Sequence, residues 1–189
     1  RTQIDSAVWS TIRQPSDERA RAAGRVTETR GVALSVLGAD CPPVLFADHD
    51  AGVIGAAHAG WKGALGGVLE ATLDAMEALG ASRANTHAVI GPSISQTAYE
   101  VGPEFFEDFI AQDSGFARFF VNGETGKYQF DLPALGLYRL RQAGVKSAEW
   151  TRHCTYADPA RFYSFRRATH HKEADYGRLI AAITLGAAG

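Results

Sequence analysis

The sequence predicts an α/β (α+β) fold in which mixed β-sheets are flanked by helices. Short apolar runs bounded by turn residues predict strands, and segments with apolar residues at helical spacing follow several of them. The two kinds of segment do not alternate strictly, which favours mixed sheets over a purely parallel sheet. A chain of 189 residues can bury a sizeable core. No internal repeat divides it, so we expect a single domain over residues 1–189.

The first half of the chain contains the clearest predicted strands. Residues 12–25 are polar and include Pro15, which indicates a surface loop or a short helix. The continuous apolar run at 31–40 is typical of a strand that is buried on both faces. Residues 43–48 and 52–59 predict two further strands, which the hairpin-like turn HDAG would join.

Helical periodicity begins after this hairpin. Apolar residues recur at helical spacing from 63 to 79, and Gly80 lies where the helix would end. A strand and a turn are predicted at 87–95, and a helix at 102–112 with Pro103 in its first turn. A strand then leads into a helix at 130–145, which ends at Gly144. A further strand is predicted at 146–156, and the segment at 176–185 fits a strand or a helix.

Composition argues against several classes of protein. The net charge of −2 and the pI of about 6.3 argue against a nucleic-acid binder. No apolar run approaches the roughly 18 residues of a membrane span, and the first residues do not resemble a signal peptide. The two cysteines, Cys41 and Cys154, are too few for a disulfide framework. We therefore expect a cytoplasmic protein that binds neither nucleic acid nor membrane, and the sequence leaves its oligomeric state open.

A cysteine and a histidine mark the predicted hairpin. Cys41 and His58 each lie at the end of a predicted strand, so neighbouring strands could bring a thiolate and an imidazole to one point. Such a pair can provide two of three protein ligands of a zinc ion, or a nucleophile and its base. A buried thiol beside a hydrogen-bonded histidine explains the same residues without any chemistry.

Two further segments carry cations. Lys62 lies in the glycine-rich stretch HAGWKGALGG, where backbone N–H groups at a helix start would favour an anion. Close packing of helix on sheet would also require these small residues. The segment 154–171 interleaves aromatic residues with arginines, among them Arg166, and could stack a planar base and bind phosphate. A solvated basic face is the alternative.

The order of the motifs resembles that of one known family. The stretches GVALSVLGADCPPVLFAD, AAHAGWKG, IGPSISQTAYEVGPEF, FDLPA and CTYADPARFYSFRR follow one another over nearly the whole chain. Together they resemble the laccase-domain family, also described as multicopper polyphenol oxidases and as purine nucleoside phosphorylases. The resemblance implies a mixed α/β fold related to the cysteine-hydrolase-like toxin deamidases.

The resemblance also implies a metal, usually zinc, bound by two histidines and one cysteine. The family cysteine falls on Cys41 and the second histidine on His58. The first histidine belongs to a Q-x-H-S segment, and the matching stretch here is QIDS, so Asp5 stands in its place. A carboxylate can also bind zinc. Members of the family carry further N-terminal strands, which we expect this sequence to lack.

The resemblance implies a zinc-dependent purine nucleoside phosphorylase that acts on adenosine, inosine or methylthioadenosine, with adenosine deamination as an additional activity. Under this hypothesis the small-molecule partners are a purine nucleoside and phosphate, and the catalytic residues are Cys41 and His58. Lys62 and Arg166 are the substrate-binding residues. The alternatives are a copper-dependent polyphenol oxidase, a thiol amidase that uses Cys41 and His58 on cell-wall peptide fragments, and a binding module without metal. Six scattered histidines fit one ion better than an array of copper ions.

Overall fold

The computed structural model describes residues 9–13, 23–124 and 126–186. Its strands are β1 (Trp9–Thr11), β2 (Gly24–Thr27), β3 (Ala33–Gly38), β4 (Pro43–Asp48), β5 (Val53–His58), β6 (His87–Ile90), β7 (Glu100–Val101), β8 (Phe120–Asn122), β9 (Tyr128–Phe130), β10 (Ser147–Trp150) and β11 (Leu179–Thr184). Its α-helices are α1 (Trp61–Leu65), α2 (Val68–Glu77), α3 (Pro103–Gln112), α4 (Leu132–Gln142) and α5 (Phe165–His170). The prediction of mixed sheets flanked by helices is confirmed.

A mixed sheet forms the centre of the described structure. Its strands lie in the order β1-β2-β5-β4-β6-β10, with parallel pairs at both edges and antiparallel pairs between them. A two-stranded sheet of β3 and β11 and a three-stranded sheet in the order β7-β9-β8 accompany it. The antiparallel β4–β5 hairpin lies in the middle of the large sheet, as the apolar pattern and the turn HDAG predict.

The central strand β5 is buried along its whole length. Val53 and Ala57 pack in the cluster that includes the residues of α2, while Ile54 and Ala56 pack with the residues of β3 on the other face. At Gly55 of β5 the helix α2 packs so closely that a Cβ would lie 3.0 Å from the Met76 sulfur, so a glycine suits this position. Helices therefore cover one face of β5 and a second sheet covers the other, which holds the end of this strand rigidly.

A second core is rich in aromatic residues. Phe105 and Phe109 of α3 stack on each other at 4.9 Å, and Phe109 lies 4.8 Å from Phe130 of β9. Trp61 of α1 contacts the same group, with its ring centre 4.8 Å from that of Phe105. This cluster joins α1 to α3 and to the three-stranded sheet.

The structure corrects several predicted elements. The run at 31–40 forms β3, but only one face of it is buried, because it belongs to a two-stranded sheet stacked on the large one. The helix predicted from 63 to 79 begins at Trp61 and breaks at Gly67, whose φ of 88° is left-handed. The open segment at 176–185 contains a strand, β11. The helix α5 was not predicted, and most of the segment 12–25 lies outside the described residues.

Asp48 ends β4 and fixes the turn that follows it. One carboxylate oxygen accepts hydrogen bonds from the backbone N–H groups of Asp50 and Ala51, both at 3.0 Å, and the other accepts one from the backbone of Ser82 at 2.8 Å. Burial acts to raise the pKa of Asp48, but these N–H groups and the charge of Lys146 outweigh burial and lower the pKa. Folding therefore favours the ionised carboxylate.

Every helix in the described ranges is too short or too polar to span a lipid bilayer.

Replacing Asp48 tests this anchor. Asp48→Asn should lower the free energy of unfolding by about 1–3 kcal/mol at neutral pH, because an amide NH₂ group would face one of the three N–H donors. The folded-state pKa lies below the unfolded value of about 3.9, so the contribution is complete above about pH 4 and is lost as the pH falls through the folded value. Urea unfolding across this range should show the difference from wild type shrinking in acid. The exposed residue Asp50 supplies the matched control, Asp50→Asn, and an equal loss in both variants would contradict the assignment.

Candidate functional site

The first residue of β4 and the last residue of β5 lie side by side at one end of these two central strands. We call this end of the strands the edge of the candidate site. Pro43, the first residue of β4, pairs with His58, the last residue of β5. The next residues remain joined, because the backbone N–H of Ala59 donates to the carbonyl of Pro42 at 2.9 Å. Cys41 directly precedes Pro42. The register therefore places Cys41 and His58 at the same edge, and their role as metal ligands stays a prediction.

The imidazole of His58 is buried and oriented. Its Nδ1 lies 3.0 Å from the carbonyl oxygen of Leu37, which can only accept, so Nδ1 carries the proton and donates. In this tautomer the lone pair lies on Nε2. A histidine that binds a metal is commonly held in this way by a backbone carbonyl. A histidine that only stabilises the core would make the same hydrogen bond.

Asp40, the neighbour of Cys41, is constrained in both its backbone and its side chain. Its φ of 85° is left-handed, which is unusual for a residue other than glycine. Its carboxylate is buried, with 8% of the residue exposed. Oδ1 accepts a hydrogen bond from the Thr155 hydroxyl at 2.7 Å, and Oδ2 accepts bonds from the Ser164 hydroxyl at 3.0 Å and from the backbone N–H of Arg166 at 2.6 Å. The loop that holds Cys41 is thus tied to the start of α5.

These bonds bring Arg166 to the cysteine loop. While its backbone binds Asp40, its guanidinium donates to the carbonyl of Glu100 at 2.8 Å and lies 5.3 Å from the ring centre of Tyr99. Of the two predicted substrate-binding residues, Arg166 is therefore connected to the residue next to Cys41 by a direct hydrogen bond.

Lys62 and Arg166 contact rings of one group of packed aromatic residues. Lys62 is exposed on α1, four residues after His58, with its ammonium group 5.3 Å from the ring centre of Trp61. Phe105 lies between the rings at either end, 4.8 Å from Trp61 and 6.1 Å from Tyr99. We call Trp61, Phe105 and Tyr99 the aromatic row. Lys62 lies against one end of this row and Arg166 against the other.

The glycines around Lys62 have a packing role. A Cβ at Gly63 would lie 3.4 Å from both the carbonyl of His58 and the side chain of Val68, so a small residue suits this junction between strand and helices. The helix α1 itself has only five residues. The packing explanation therefore accounts for Gly63, and anion binding at this point depends on the side chain of Lys62.

The basic segment 154–171 divides into residues with different roles. The guanidinium of Arg167 donates to the carbonyls of Thr155, Tyr156 and Phe162, at 2.7, 2.9 and 2.5 Å, so it holds the loop that precedes α5. Arg161 is exposed and pairs with Asp158 at 2.6 Å. Arg167 therefore binds backbone and Arg161 lies on the surface, while a nucleoside site in this segment stays a prediction.

Exposed aromatic rings accompany α5. Phe165 is 51% exposed, and its ring lies 5.0 Å from that of Tyr176 in an edge-to-face arrangement. Tyr163 is 54% exposed and packs directly on Gly177, where a Cβ would come within 2.5 Å of its ring. Phe165 and Tyr163 both adjoin Ser164 in the sequence, and the hydroxyl of Ser164 donates to Asp40.

The donor atoms at this edge suit zinc in part. Thiolate sulfur and imidazole nitrogen are common zinc ligands, and Cys41 and His58 supply one of each. The third ligand implied by the resemblance falls on Asp5, which lies outside the described residues. Among the residues that are described, no three histidine, cysteine or acidic side chains form a metal-binding group.

Asp40, Thr155 and Ser164 were not predicted from the sequence as parts of the site. Ser164 carries a recognisable signal, since a serine before a short helix is a typical N-cap, and its hydroxyl accepts the N–H of Arg167 at 3.1 Å. No local pattern identifies the other two. Their hydrogen bond joins residues that are 115 positions apart, and only the folded sheet brings them together.

Comparisons with known proteins agree with the resemblance. A family model described as "Multi-copper polyphenol oxidoreductase laccase" matches residues 2–186. A protein from Rickettsia conorii named purine nucleoside phosphorylase is 38% identical over 184 residues, which cover 97% of this chain and 74% of the relative. A protein from an unknown prokaryotic organism, named adenosine deaminase, is 36% identical over 145 residues, which cover 75% of this chain and 55% of that protein.

A solved structure agrees as well. The crystal structure of a Neisseria meningitidis protein superimposes with a TM-score of 0.86 at 35% identity, covering 98% of this chain and 74% of that one. The chain therefore belongs to the family described as multi-copper polyphenol oxidoreductase laccase.

Proposed function

We propose that this protein is a purine nucleoside phosphorylase that acts on adenosine, inosine or methylthioadenosine. In this reaction the glycosidic bond between C1′ and the base breaks, and a bond between C1′ and a phosphate oxygen forms. The observation that carries the proposal is the 38% identity, over 97% of this chain, to the Rickettsia conorii protein of that name. The chain spans about three quarters of that relative, so the activity of the whole relative is a proposal for this chain.

The cations at the ends of the aromatic row support this reaction. Phosphate is an anion that guanidinium and ammonium groups bind through charge-assisted hydrogen bonds. Lys62 and Arg166 would hold it, and the aromatic row between them would exclude water from one side of the site. As the glycosidic bond breaks, positive charge develops on the sugar, and the bound phosphate would stabilise that charge.

Zinc is the proposed cofactor, and Cys41, His58 and Asp5 are its proposed ligands. Bound zinc would supply a Lewis acid that polarises an oxygen atom of the substrate. The protein contributes the orientation of the imidazole, which the Leu37 carbonyl fixes through Nδ1. Copper remains the alternative metal.

Adenosine deamination is a second candidate activity. It rests on the 36% identity to the relative named adenosine deaminase. The two reactions are readily separated, because deamination converts adenosine to inosine without phosphate, whereas phosphorolysis releases free base only when phosphate is present.

Polyphenol oxidation by copper is the alternative that the description of the family suggests. An array of copper ions requires clustered histidines. Here His87 bonds to Ser147 at 2.7 Å, between β6 and β10, and His170 bonds to Tyr156 at 3.0 Å beside α5. These histidines lie on separate elements from His58, which favours nucleoside chemistry. A thiol amidase using Cys41 and His58 would act without a metal and would not depend on phosphate.

The first test is chromatographic detection of free base from adenosine and inosine, with and without phosphate and zinc. Cys41→Ser should lower the rate at least about 100-fold, because groups that only orient a metal ligand already contribute 10- to 100-fold. The other thiol, Cys154, accepts a hydrogen bond from Ser95 at 3.0 Å and provides the control variant Cys154→Ser, which should retain the rate. Equal losses in the two variants would count against a special role of Cys41, and base release that ignores phosphate would exclude phosphorolysis.

The proposed phosphate site is tested through the KM for phosphate. Lys62→Ala and Arg166→Ala should each raise it about tenfold or more, because each removes a charged hydrogen-bond donor. Arg161→Ala removes an exposed arginine of the same segment and should leave the KM unchanged. If both variants kept the wild-type KM for phosphate, these two residues would not form the site.

Asp5 is tested by metal binding rather than by activity. Asp5→Ala should weaken zinc binding at least about tenfold, whereas Asp5→His should preserve it, because an imidazole is an equally good zinc ligand. Competition with a chromophoric chelator measures the affinity, and Asp50→Ala, at the far end of β4, is the control. Unchanged affinity in Asp5→Ala would remove Asp5 from the set of ligands.

A further inference from the structure

We propose that Asp40 is a positioning residue whose buried carboxylate holds Cys41 and Arg166 in one fixed arrangement. The roles of Cys41 as a metal ligand and of Arg166 as a phosphate ligand belong to the proposed function, on which this inference rests. Asp40 itself would touch neither metal nor substrate. It would act by fixing the positions of Cys41, the next residue in the chain, and of Arg166, whose backbone N–H donates to the Asp40 carboxylate.

The backbone of Asp40 directs Cys41. A non-glycine residue with a φ of 85° persists only where its surroundings enforce that conformation. The loop is folded back tightly here, since a Cβ on Gly38 would lie 2.9 Å from the carbonyl oxygen of Cys41. The carbonyl of Asp40 also accepts the N–H of Ile94 at 2.9 Å. Loss of the hydrogen bonds that hold Asp40 would therefore change the direction of the backbone at Cys41.

The side chain of Asp40 directs Arg166. Oδ2 accepts the backbone N–H of Arg166 and the hydroxyl of Ser164, which is the N-cap of α5. Oδ1 accepts the hydroxyl of Thr155, at the start of the loop that leads to this helix. A buried carboxylate with three donors is strongly held, because the low local dielectric strengthens each bond. One side chain thus sets the distance between the cysteine loop and the helix that carries Arg166.

Asp48 provides a matched comparison at the other end of β4. Its carboxylate is also buried and also accepts three hydrogen bonds, but all three come from backbone N–H groups of the turn at 50–51 and of Ser82. Loss of either carboxylate should destabilise the fold by a similar mechanism. Only loss of Asp40 should alter the surroundings of Cys41 and Arg166.

The amide variant separates shape from charge. In Asp40→Asn the amide oxygen can take the place of Oδ2 and accept from Ser164 and Arg166, while the amide NH₂ donates to the hydroxyl of Thr155, which can also accept. Asparagine tolerates a left-handed φ. Asp40→Asn should therefore keep the arrangement that Asp40→Ala loses.

The decisive measurement is the rate at which iodoacetamide alkylates Cys41, in metal-free protein that carries Cys154→Ser and so has one thiol. Asp40→Ala should change this rate at least about fivefold, and Asp48→Ala should leave it within about twofold at equal loss of thermal stability. Asp40→Asn should resemble the parent protein. Zinc affinity should fall about 10- to 100-fold in Asp40→Ala alone, and the KM for phosphate should rise in that variant.

Equal alkylation rates and equal zinc affinities in Asp40→Ala and Asp48→Ala would overturn the proposal. If Asp40→Ala does not fold, Thr155→Val removes only the bond to Oδ1 and should change the alkylation rate relative to the parent protein by a smaller factor, and an unchanged rate would again overturn the proposal. A wild-type protein that releases no base would refute the proposed phosphorylase, while the alkylation rates would still decide the role of Asp40.

Discussion

The buried carboxylate of Asp40 is the contact on which the candidate site depends. It joins a loop near residue 40 to groups 115 to 126 positions further along the chain. A buried carboxylate without partners would carry a large desolvation cost. Folding must therefore bring Thr155, Ser164 and Arg166 to this point, and their hydrogen bonds in turn offset the left-handed backbone of Asp40. Because Cys41 is the next residue, the geometry of the cysteine follows from a contact between distant parts of the sequence.

The large sheet supplies the rigid support for this contact. The strand β5 is covered by helices on one face and by β3 and β11 on the other, so His58 at its end has little freedom. Asp48 anchors the opposite end of the hairpin. The residues proposed to bind metal and substrate lie at strand ends, in loops and on short helices, while the core that holds them is apolar. Binding and catalytic residues are commonly placed on loops and at the ends of strands and helices, where a rigid scaffold positions them.

The features that the sequence predicts correctly are those formed by residues close together in the chain. The hairpin of β4 and β5 is a local structure, and its apolar runs and turn predict the two strands and their pairing, which places Pro43 opposite His58. Helix α3 was predicted for a similar reason, through Pro103. The sequence does not predict the break at Gly67, because the neighbouring residues keep helical spacing. The segment of β11 fits either a strand or a helix, because its residues are almost all apolar, and pairing with β3 selects the strand. The partners of Asp40 were beyond reach, since no local pattern encodes them.

Two consecutive arginines show how the fold assigns different roles to similar residues. Arg166 and Arg167 adjoin on α5, where successive side chains point about 100° apart around the helix axis. Arg167 turns to three backbone carbonyls, whereas the guanidinium of Arg166 reaches Glu100 and Tyr99, beside the aromatic row. The backbone of Arg166 is at the same time bound by Asp40. An anion held by Arg166 would therefore lie in a fixed relation to Cys41, and this coupling through one helix turn makes the basic segment relevant to the site.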